Sequence, residues 1–596
     1  MTLAVRVVIE SPLLQLDREF DFLVPAGMQV QFGQRVTVPF GRAKKPMSGF
    51  ITEVFERSEH ATSFLISNVA RPVLTAEVLG FARKVADRQC VSIGEILALA
   101  IPDHMPTVEL NAEPAAPALK VPQTTSRLAI LGSGKPRLAG EALFPDWAFT
   151  FLETAAEKLS QGFSSLLIVP ERSDAKMLDD LAKTLEIEVS LMLPGGRKSD
   201  RYALFHSLID QVKIVIGTRS AIYAPIGNLG LIALSDDLDE SLREEGSPHT
   251  RVHELAMIRA GDDVDLLLAA PYRSVEVQRL VEIGYLTDSK TSDSPPRISF
   301  TEPGLRIDEA AFKLVRQSLD TGSVLILLPR KGMAASVWCQ NCDARQRCSC
   351  GGFIWEPEQS VYSCRICAKP HLQCPECLAR SFRPGRKATG RTVAEIGKAF
   401  PNVQVLEATA HKQPAKIGKP NQILIATPGS APRVAKGYSA LLVLDPDVWL
   451  SAQSLQAEQL ALRDWCEAME LVSPSGRIVI SGLGPELGKP LSLWQHRELA
   501  KTALVDLRKL SLPPAVRSVR LEGEPAVIAE ASAELEKLGA KRVRQQQGSA
   551  AFTFSYQDGL KIAKALRAVA LRTTARNVGG SKRRGLKIVM DDLGAV

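Results

Sequence analysis

Short β-branched apolar runs dominate the chain, and the spacing between them changes character along its length. Over the first hundred residues the runs Val5–Ile9, Phe20–Val24, Arg35–Phe40 and Gly49–Phe55 alternate with turn residues such as Pro25-Ala26-Gly27 and Phe32-Gly33-Gln34. That pattern predicts a small β-rich domain, closed by a helical stretch from Ala76 to Ala100. Pro106, Pro114, Pro117 and Pro122, set among Ala and Thr, then mark a linker. From about residue 128 to 500 the runs become continuous and apolar, with helical segments between them. Ser165–Val169, Lys213–Ile216, Leu229–Leu234 and Asp265–Ala269 form one series. Ser323–Leu328, Val403–Leu406, Gln422–Ala426, Ala440–Leu444 and Arg477–Ser481 form another. Strands of this kind belong to parallel sheets covered on both faces.

The expected architecture is therefore α/β and multidomain: a β-rich domain over 1–104, a linker over 105–126 and parallel-sheet lobes over 127–295 and 296–495. A cysteine-rich insertion occupies 336–381 of the second lobe, and an α+β domain fills 496–596. Ligands of open parallel sheets sit at the carboxyl ends of strands. This directs attention to Pro170-Glu171, Gly217-Thr218-Arg219-Ser220, Ser235-Asp236-Asp237, Thr427-Pro428 and Asp445-Pro446-Asp447.

Composition changes this picture little: 596 residues, 45% hydrophobic and 23% charged, suit about four soluble domains. No run of about 18 apolar residues exists to span a membrane. Met1–Glu10 carries Arg6 and Glu10 and lacks the pattern of a signal peptide. A cytoplasmic, monomeric protein is expected. Charge is more telling, because the net +7 is concentrated at one end. Lys541–Val596 holds twelve Lys/Arg against three Asp/Glu, and the remainder is close to neutral. A polyanion contact and a solvated basic surface both account for that.

Eight of the ten cysteines lie between 339 and 377, as three C-x-x-C pairs and one C-x-C. Two such turns bring four thiolates around one Zn²⁺, so eight imply two ions. In a reducing compartment ligation is favoured over disulfides. The surrounding stretch is poor in apolar residues, so the metal must supply much of its folding energy. The preferred pairing is interleaved: Cys339, Cys342, Cys374 and Cys377 on one ion, and Cys348, Cys350, Cys364 and Cys367 on the other. Such closed sites are structural. Cys90 and Cys466 stand apart and read as core residues. Beside the cluster, Arg380, Arg383, Arg386, Lys387 and Arg391 form an acid-free segment, open to reading as a phosphate grip or a solvated loop.

Gly132-Ser133-Gly134-Lys135 resembles a phosphate loop only in part. The motif needs Gly five residues before its last Gly and Ser or Thr after the Lys, where this chain has Ala129 and Pro136. Proline offers neither a hydroxyl for Mg²⁺ nor an N–H for phosphate. The loop reads as a turn, and Asp236 and Asp237 as either Mg²⁺ ligands or surface charge.

Taken together, these residues resemble the primosomal protein N-prime (PriA) family of bacterial replication-restart helicases. The most specific pieces are Phe20–Gly27 with Val38-Pro39-Phe40-Gly41, Gly217–Ala221 with Asn228-Leu229-Gly230, the eight-cysteine insertion, and Leu510–Pro514. The resemblance implies two RecA-like lobes and an N-terminal domain that holds the 3′ end of a nascent strand. In it Asp21 would accept a hydrogen bond from the terminal 3′-OH, Phe20 would shape the pocket, and Gly41 would permit close approach. A carboxylate separates a hydroxyl from a phosphate by attraction against repulsion. Without the family, Asp21 reads as a strand-end carboxylate on backbone amides. Arg219 is carried over as a further DNA contact.

The resemblance also implies binding to forked and single-stranded DNA, with other primosome proteins, single-stranded DNA-binding protein and the replicative helicase machinery as partners. The departures are equally specific. Ser235-Asp236-Asp237-Leu238 stands where the family has an acidic box, Ala269-Ala270-Pro271-Tyr272 replaces the linker motif, and Glu470–Ser475 takes the place of an arginine-bearing motif. The winged-helix domain of the family is missing, because residues 103–125 lead almost directly into the first lobe. These losses remove the parts that phosphoryl transfer needs. The expectation is thus a restart protein with two Zn²⁺ and a degenerate, motor-less lobe pair. An active ATP-dependent 3′→5′ helicase using Lys135, Asp236 and Asp237 is one alternative; a scaffold that binds only proteins is another.

Overall fold

The computed structural model describes residues 3–56, 58–109, 125–289, 295–302, 306–330, 337–342, 344–350, 352–364, 367–384, 388–414, 416–452, 454–577 and 585–595. The linker prolines Pro114, Pro117 and Pro122, along with Arg386 and Lys387, lie outside them. Among the described residues, four sheets of four or more strands carry the chain, with three two-stranded ones beside them.

The first is five-stranded and antiparallel. Glu19–Leu23 lies at one edge beside Ala4–Ile9, followed by Lys45–Phe55, Gln34–Phe40 and Ser67–Pro72. The expected helix over 76–100 is two helices, Ala76–Gln89 and Ile93–Ala100. Cys90 breaks the run with φ of +60°, and Ser92 starts the next helix by accepting the N–H of Glu95. Hydrophobic periodicity carried across the break and hid it.

Two parallel sheets follow. The first lobe orders its seven strands Ser190–Met192, Ile214–Gly217, Ser164–Ile168, Leu229–Ser235, Asp265–Ala270, Arg127–Leu131, Thr287–Asp288. The second orders six: Ile298–Phe300, Val472–Ile480, Tyr438–Val443, Val324–Leu327, Gln422–Ala426, Gln404–Ala408. Arg127–Leu131 escaped the sequence pattern because it is only five residues long and abuts the linker.

A single core bridges the lobes. Leu131, Leu238, Ala270 and Tyr272 of the first pack in one cluster with Leu441, Trp449, Trp465 and Trp494 of the second. Each buried Trp removes about 200 Å² from water, worth ~5 kcal/mol before ordering costs.

The last sheet is antiparallel, ordered Lys541–Gln546, Ser549–Phe554, Arg517–Glu522, Lys587–Met590. It is tied to the first domain. The fully buried Asp17 carboxylate meets Arg83 and Arg567 and accepts the Ile93 N–H at 2.8 Å. Arg88 reaches both Glu254 of the first lobe and Asp591 of the last domain, each at 3.1 Å. Among the described residues, no helix is long and apolar enough to cross a membrane.

Candidate functional site

The cysteine insertion folds as paired hairpin turns. Val337–Cys339 pairs with Phe382–Pro384, and Ile354–Glu358 with Val361–Cys364. Two of the three C-x-x-C turns are closed by backbone bonds onto themselves: the N–H of Ala368 reaches Cys364 O, and that of Leu378 reaches Cys374 O. Ala368 and Leu378 take φ of +56° and +60°, which curls the backbone around the sulfurs.

Two tetrads result, Cys339/Cys342/Cys374/Cys377 and Cys348/Cys350/Cys364/Cys367. This is the interleaved arrangement read from the sequence, and the C-x-C pair closes its site as the others do. Sulfur–sulfur separations are 3.4 and 3.7 Å in the first tetrad and 3.4, 3.5 and 3.6 Å in the second. A tetrahedron with Zn–S bonds of about 2.3 Å has edges of about 3.8 Å, so the donor sets fit a structural Zn²⁺ in size and softness.

Asp21 lies on the edge strand of the first sheet, directly across from Arg6. Its carboxylate accepts Arg6 Nε at 3.3 Å and Ser58 Oγ at 2.6 Å. Arg6 also pairs with Glu53, so the surroundings are acidic with one shared cation. The Asp21 side chain keeps 12% of its surface, and a carboxylate has about four acceptor positions. It can still take a hydroxyl.

The strand alternation separates residues that the sequence grouped together. The Phe20 ring faces the other way, edge-on to Phe40 at 5.0 Å, with Arg18 stacked 4.8 Å above it. Gly41 follows the Gln34–Phe40 strand with φ of +71°, and a Cβ there would meet nothing within 4 Å. The turn conformation requires this glycine, and the space before it is open.

The loop Gly132–Lys135 does not cradle an anion. It runs into a β-hairpin, Pro136–Ala139 with Ala142–Pro145, where a phosphate loop would enter a helix. The helix begins only at Asp146, whose Oδ2 accepts the Ser133 N–H at 2.7 Å and whose Oδ1 accepts the Trp147 N–H at 2.9 Å. The Lys135 N–H turns inward to Ser133 Oγ at 3.2 Å. Trp494 of the second lobe fills what is left. Its indole N–H donates to Gly132 O at 3.0 Å, and a Cβ on Gly134 would lie 2.2 Å from its ring.

Asp236 and Asp237 end the strand Leu229–Ser235 in the same cleft, and both are buried. They are not surface charge. Asp236 accepts Arg463 Nε at 2.6 Å and the Tyr272 hydroxyl at 2.5 Å; Asp237 accepts Ser274 Oγ at 2.6 Å. Arg463, on the second-lobe helix Ala457–Met469, also meets Asp239, Asp464 at 2.8 Å and Glu467 at 3.1 Å. Asp236, Asp239 and Glu467 come close enough to hold a cation, and the cation they hold is this guanidinium. Burial pushes Asp237 up to about 7 and Glu470 up to about 8, which further reduces the charge carried in the cleft at neutral pH.

Flanking bonds complete the seam. The Val275 N–H reaches Gln459 Oε1 at 2.8 Å, Gln456 Nε2 reaches Glu276 at 2.7 Å, and Arg497 reaches Asp288 at 2.6 Å. Sequence reasoning missed Trp494 and Arg463, because nothing local marks a residue whose partner is more than 200 positions away, and it missed Asp146, which reaches back 13 residues across the hairpin to Ser133.

Arg219 sits at the end of Ile214–Gly217 and clamps a neighbouring loop. It donates to the carbonyls of Ser241 at 2.9 Å and Arg243 at 2.8 Å and pairs with Glu244 at 3.0 Å. At the other end of the chain, all six residues of the edge strand Lys541–Gln546 are exposed. Arg544 and Lys587 border a cleft of about 1080 Å³ beside this strand. Within the basic stretch Lys587 pairs with Glu522 at 3.1 Å and Arg542 with Glu536 at 2.7 Å, so only part of its surplus is unmatched.

Comparison with known proteins adds to this geometry. Residues 6–102 match a family model described as the 3′ DNA-binding domain. The chain is 32% identical over 566 residues to the probable replication restart protein PriA of Mycobacterium tuberculosis strain H37Rv, covering 86% of each chain. It is 29% identical over 570 residues to that of Mycobacterium leprae, covering 86% of this chain and 87% of the relative. The replication restart protein PriA of Rickettsia conorii is 24% identical over 389 residues, covering 60% of each.

Proposed function

The chain belongs to the PriA replication-restart family, and from that premise we propose that it binds stalled or abandoned replication forks without an ATP-driven motor of its own. On this reading it engages the free 3′ end of the nascent strand through the domain around Asp21. It serves there as a platform for primosome assembly and for reloading the replicative helicase. The zinc module and the basic C-terminal domain add DNA contacts. Two Zn²⁺, one in each sulfur tetrad, would supply the cross-links that fix the module's fold.

The observation that carries the motor-free reading is the occupied cleft. Trp494 stands where phosphates would lie, Asp146 holds the N–H of Ser133, and Arg463 ties the acidic residues of one lobe to the other. Nucleotide would enter only after the lobes separated and four carboxylates gave up their shared cation. Asp21, Ser58 and Arg6 support the end-recognition half. The carboxylate is oriented by two donors and can accept from a 3′-OH, while Glu19 and Glu53 beside it would repel a 3′-phosphate.

Fluorescence anisotropy on two forks, differing only in a 3′-OH or 3′-phosphate at the branch, tests this. The 3′-OH fork is expected to bind about tenfold more tightly, the worth of one hydrogen bond to a charged group. Asp21→Ala should abolish that preference by weakening the 3′-OH fork about tenfold, and leave binding of the 3′-phosphate fork nearly intact. Equal binding of both forks by the unaltered protein would refute the pocket, as would equal loss on both in the variant.

A further inference from the structure

The buried side chain of Gln346 lies against the first sulfur tetrad, and its surroundings fix its orientation. Gln346 has none of its surface exposed. Its Nε2 is 2.8 Å from Ala344 O, a carbonyl that can only accept, so the nitrogen end of the amide must point there. The second Nε2–H then faces Cys374 Sγ at 3.3 Å. The Oε1 lies 2.9 Å from His371 Nε2, and an amide oxygen can only accept, which places a proton on that ring nitrogen. His371 is itself braced by the Phe382 ring at 5.0 Å and by its own N–H on Tyr362 O. Both side-chain N–H donors of Gln346 and one acceptor position of its oxygen are thus committed, in a chain that runs from the hairpin carrying Cys364 to a ligand of the other tetrad.

We propose that Gln346, held by His371, is a positioning residue of the first zinc site: it donates an N–H···S bond to the Cys374 thiolate and sets how tightly that ion is kept. The proposal rests on the zinc reading above. A thiolate that ligates a metal retains lone pairs, and an N–H donor lowers their energy and holds the sulfur in place. Outer-shell partners of this kind are typically worth ten- to a hundredfold in metal affinity. Among the described residues, the Gln346 side chain donates to a sulfur of one tetrad only, so its removal should distinguish the two ions, which a general loosening of the module would not do.

The test uses the full chain, measuring zinc content and then release to a chromogenic chelator. The unaltered protein should hold two Zn²⁺ per chain. In Gln346→Glu, which keeps the shape but replaces the donor with an acceptor, one ion should be held tenfold or more less tightly and the other unchanged. His371→Ala, which leaves Gln346 in place but removes its anchor, should weaken the same ion to a smaller extent. In the cobalt-loaded protein, the sulfur-to-metal charge-transfer band of one ion should move to lower energy in Gln346→Met. Identical release of both ions in all variants, or equal weakening of both, would overturn the proposal. An unaltered protein without bound zinc would instead overturn the zinc reading on which it stands.

Discussion

Chelation of the zinc is expected to unfold residues 337–384 while both sheet lobes keep their protease resistance. The module has little else to hold it. Its apolar cluster consists of Val337, Ile354, Phe382 and three cysteines, with partly buried neighbours around them. The cysteines at its centre, Cys339, Cys364 and Cys374, are buried with their sulfurs gathered in the two tetrads. Without the ion, the first tetrad crowds four thiols at separations of 3.4 to 3.7 Å. Structural zinc sites carry about 10–16 kcal/mol of apparent binding free energy near neutral pH, more than a cluster this small can replace. The lobes have their own cores and should survive. Limited proteolysis with mass spectrometry, before and after chelator, would show new cuts confined to the module. An unchanged digestion pattern there would contradict structural zinc.

Arg463→Ala should lower global stability by about 3–5 kcal/mol, the usual cost of leaving buried charges without their counter-ion. One guanidinium, itself 6% exposed, serves Asp236, Asp239, Asp464 and Glu467. Deleting it strands carboxylates from both lobes in a seam that burial already makes unfavourable for charge. The expected readout is a large fall in the urea midpoint, with Trp449, Trp465 and Trp494 reporting fluorescence as the seam opens. Asp236→Asn in the same chain should recover part of the loss, because it removes one stranded charge. The exposed pair of Lys183 with Asp179 is the control, and Lys183→Ala should leave the midpoint where it was. A loss below about 1 kcal/mol in Arg463→Ala would mean that the network does not hold the lobes together.

How much of this was legible in the sequence depended on whether the signal was local. The C-x-x-C and C-x-C pairs gave the tetrads because metal ligation imposes its spacing on neighbouring residues. The apolar runs gave the two parallel sheets because strands buried on both faces must be continuously apolar, as Leu229–Ser235 and Asp265–Ala270 are. The rejected phosphate loop was also local, since Pro136 alone spoils it. What stayed hidden needed the third dimension. The packing of Trp494 on Gly132 and the pairing of Arg463 with Asp236 join residues 362 and 227 positions apart. Phe20 and Asp21 were grouped as neighbours, although a strand sends them to opposite faces. Arg219 carried a recognisable motif, but its guanidinium spends its hydrogen bonds on the Ser241–Glu244 loop. The basic C-terminal stretch drew attention by net charge, which cannot show that its Arg542, Arg567 and Arg572 are paired with Glu536, Asp17 and Glu530.

The central claim is that this member of the restart family kept its DNA-facing domain and closed its motor. ATP hydrolysis by the full chain, in the presence of saturating forked DNA with a 3′-OH end, tests it most directly. The closed cleft predicts turnover indistinguishable from background, with or without DNA, and no change in Lys135→Ala. DNA-stimulated hydrolysis that Lys135→Ala abolishes would contradict it, because the loop filled by Trp494 would then have to open and hold a nucleotide.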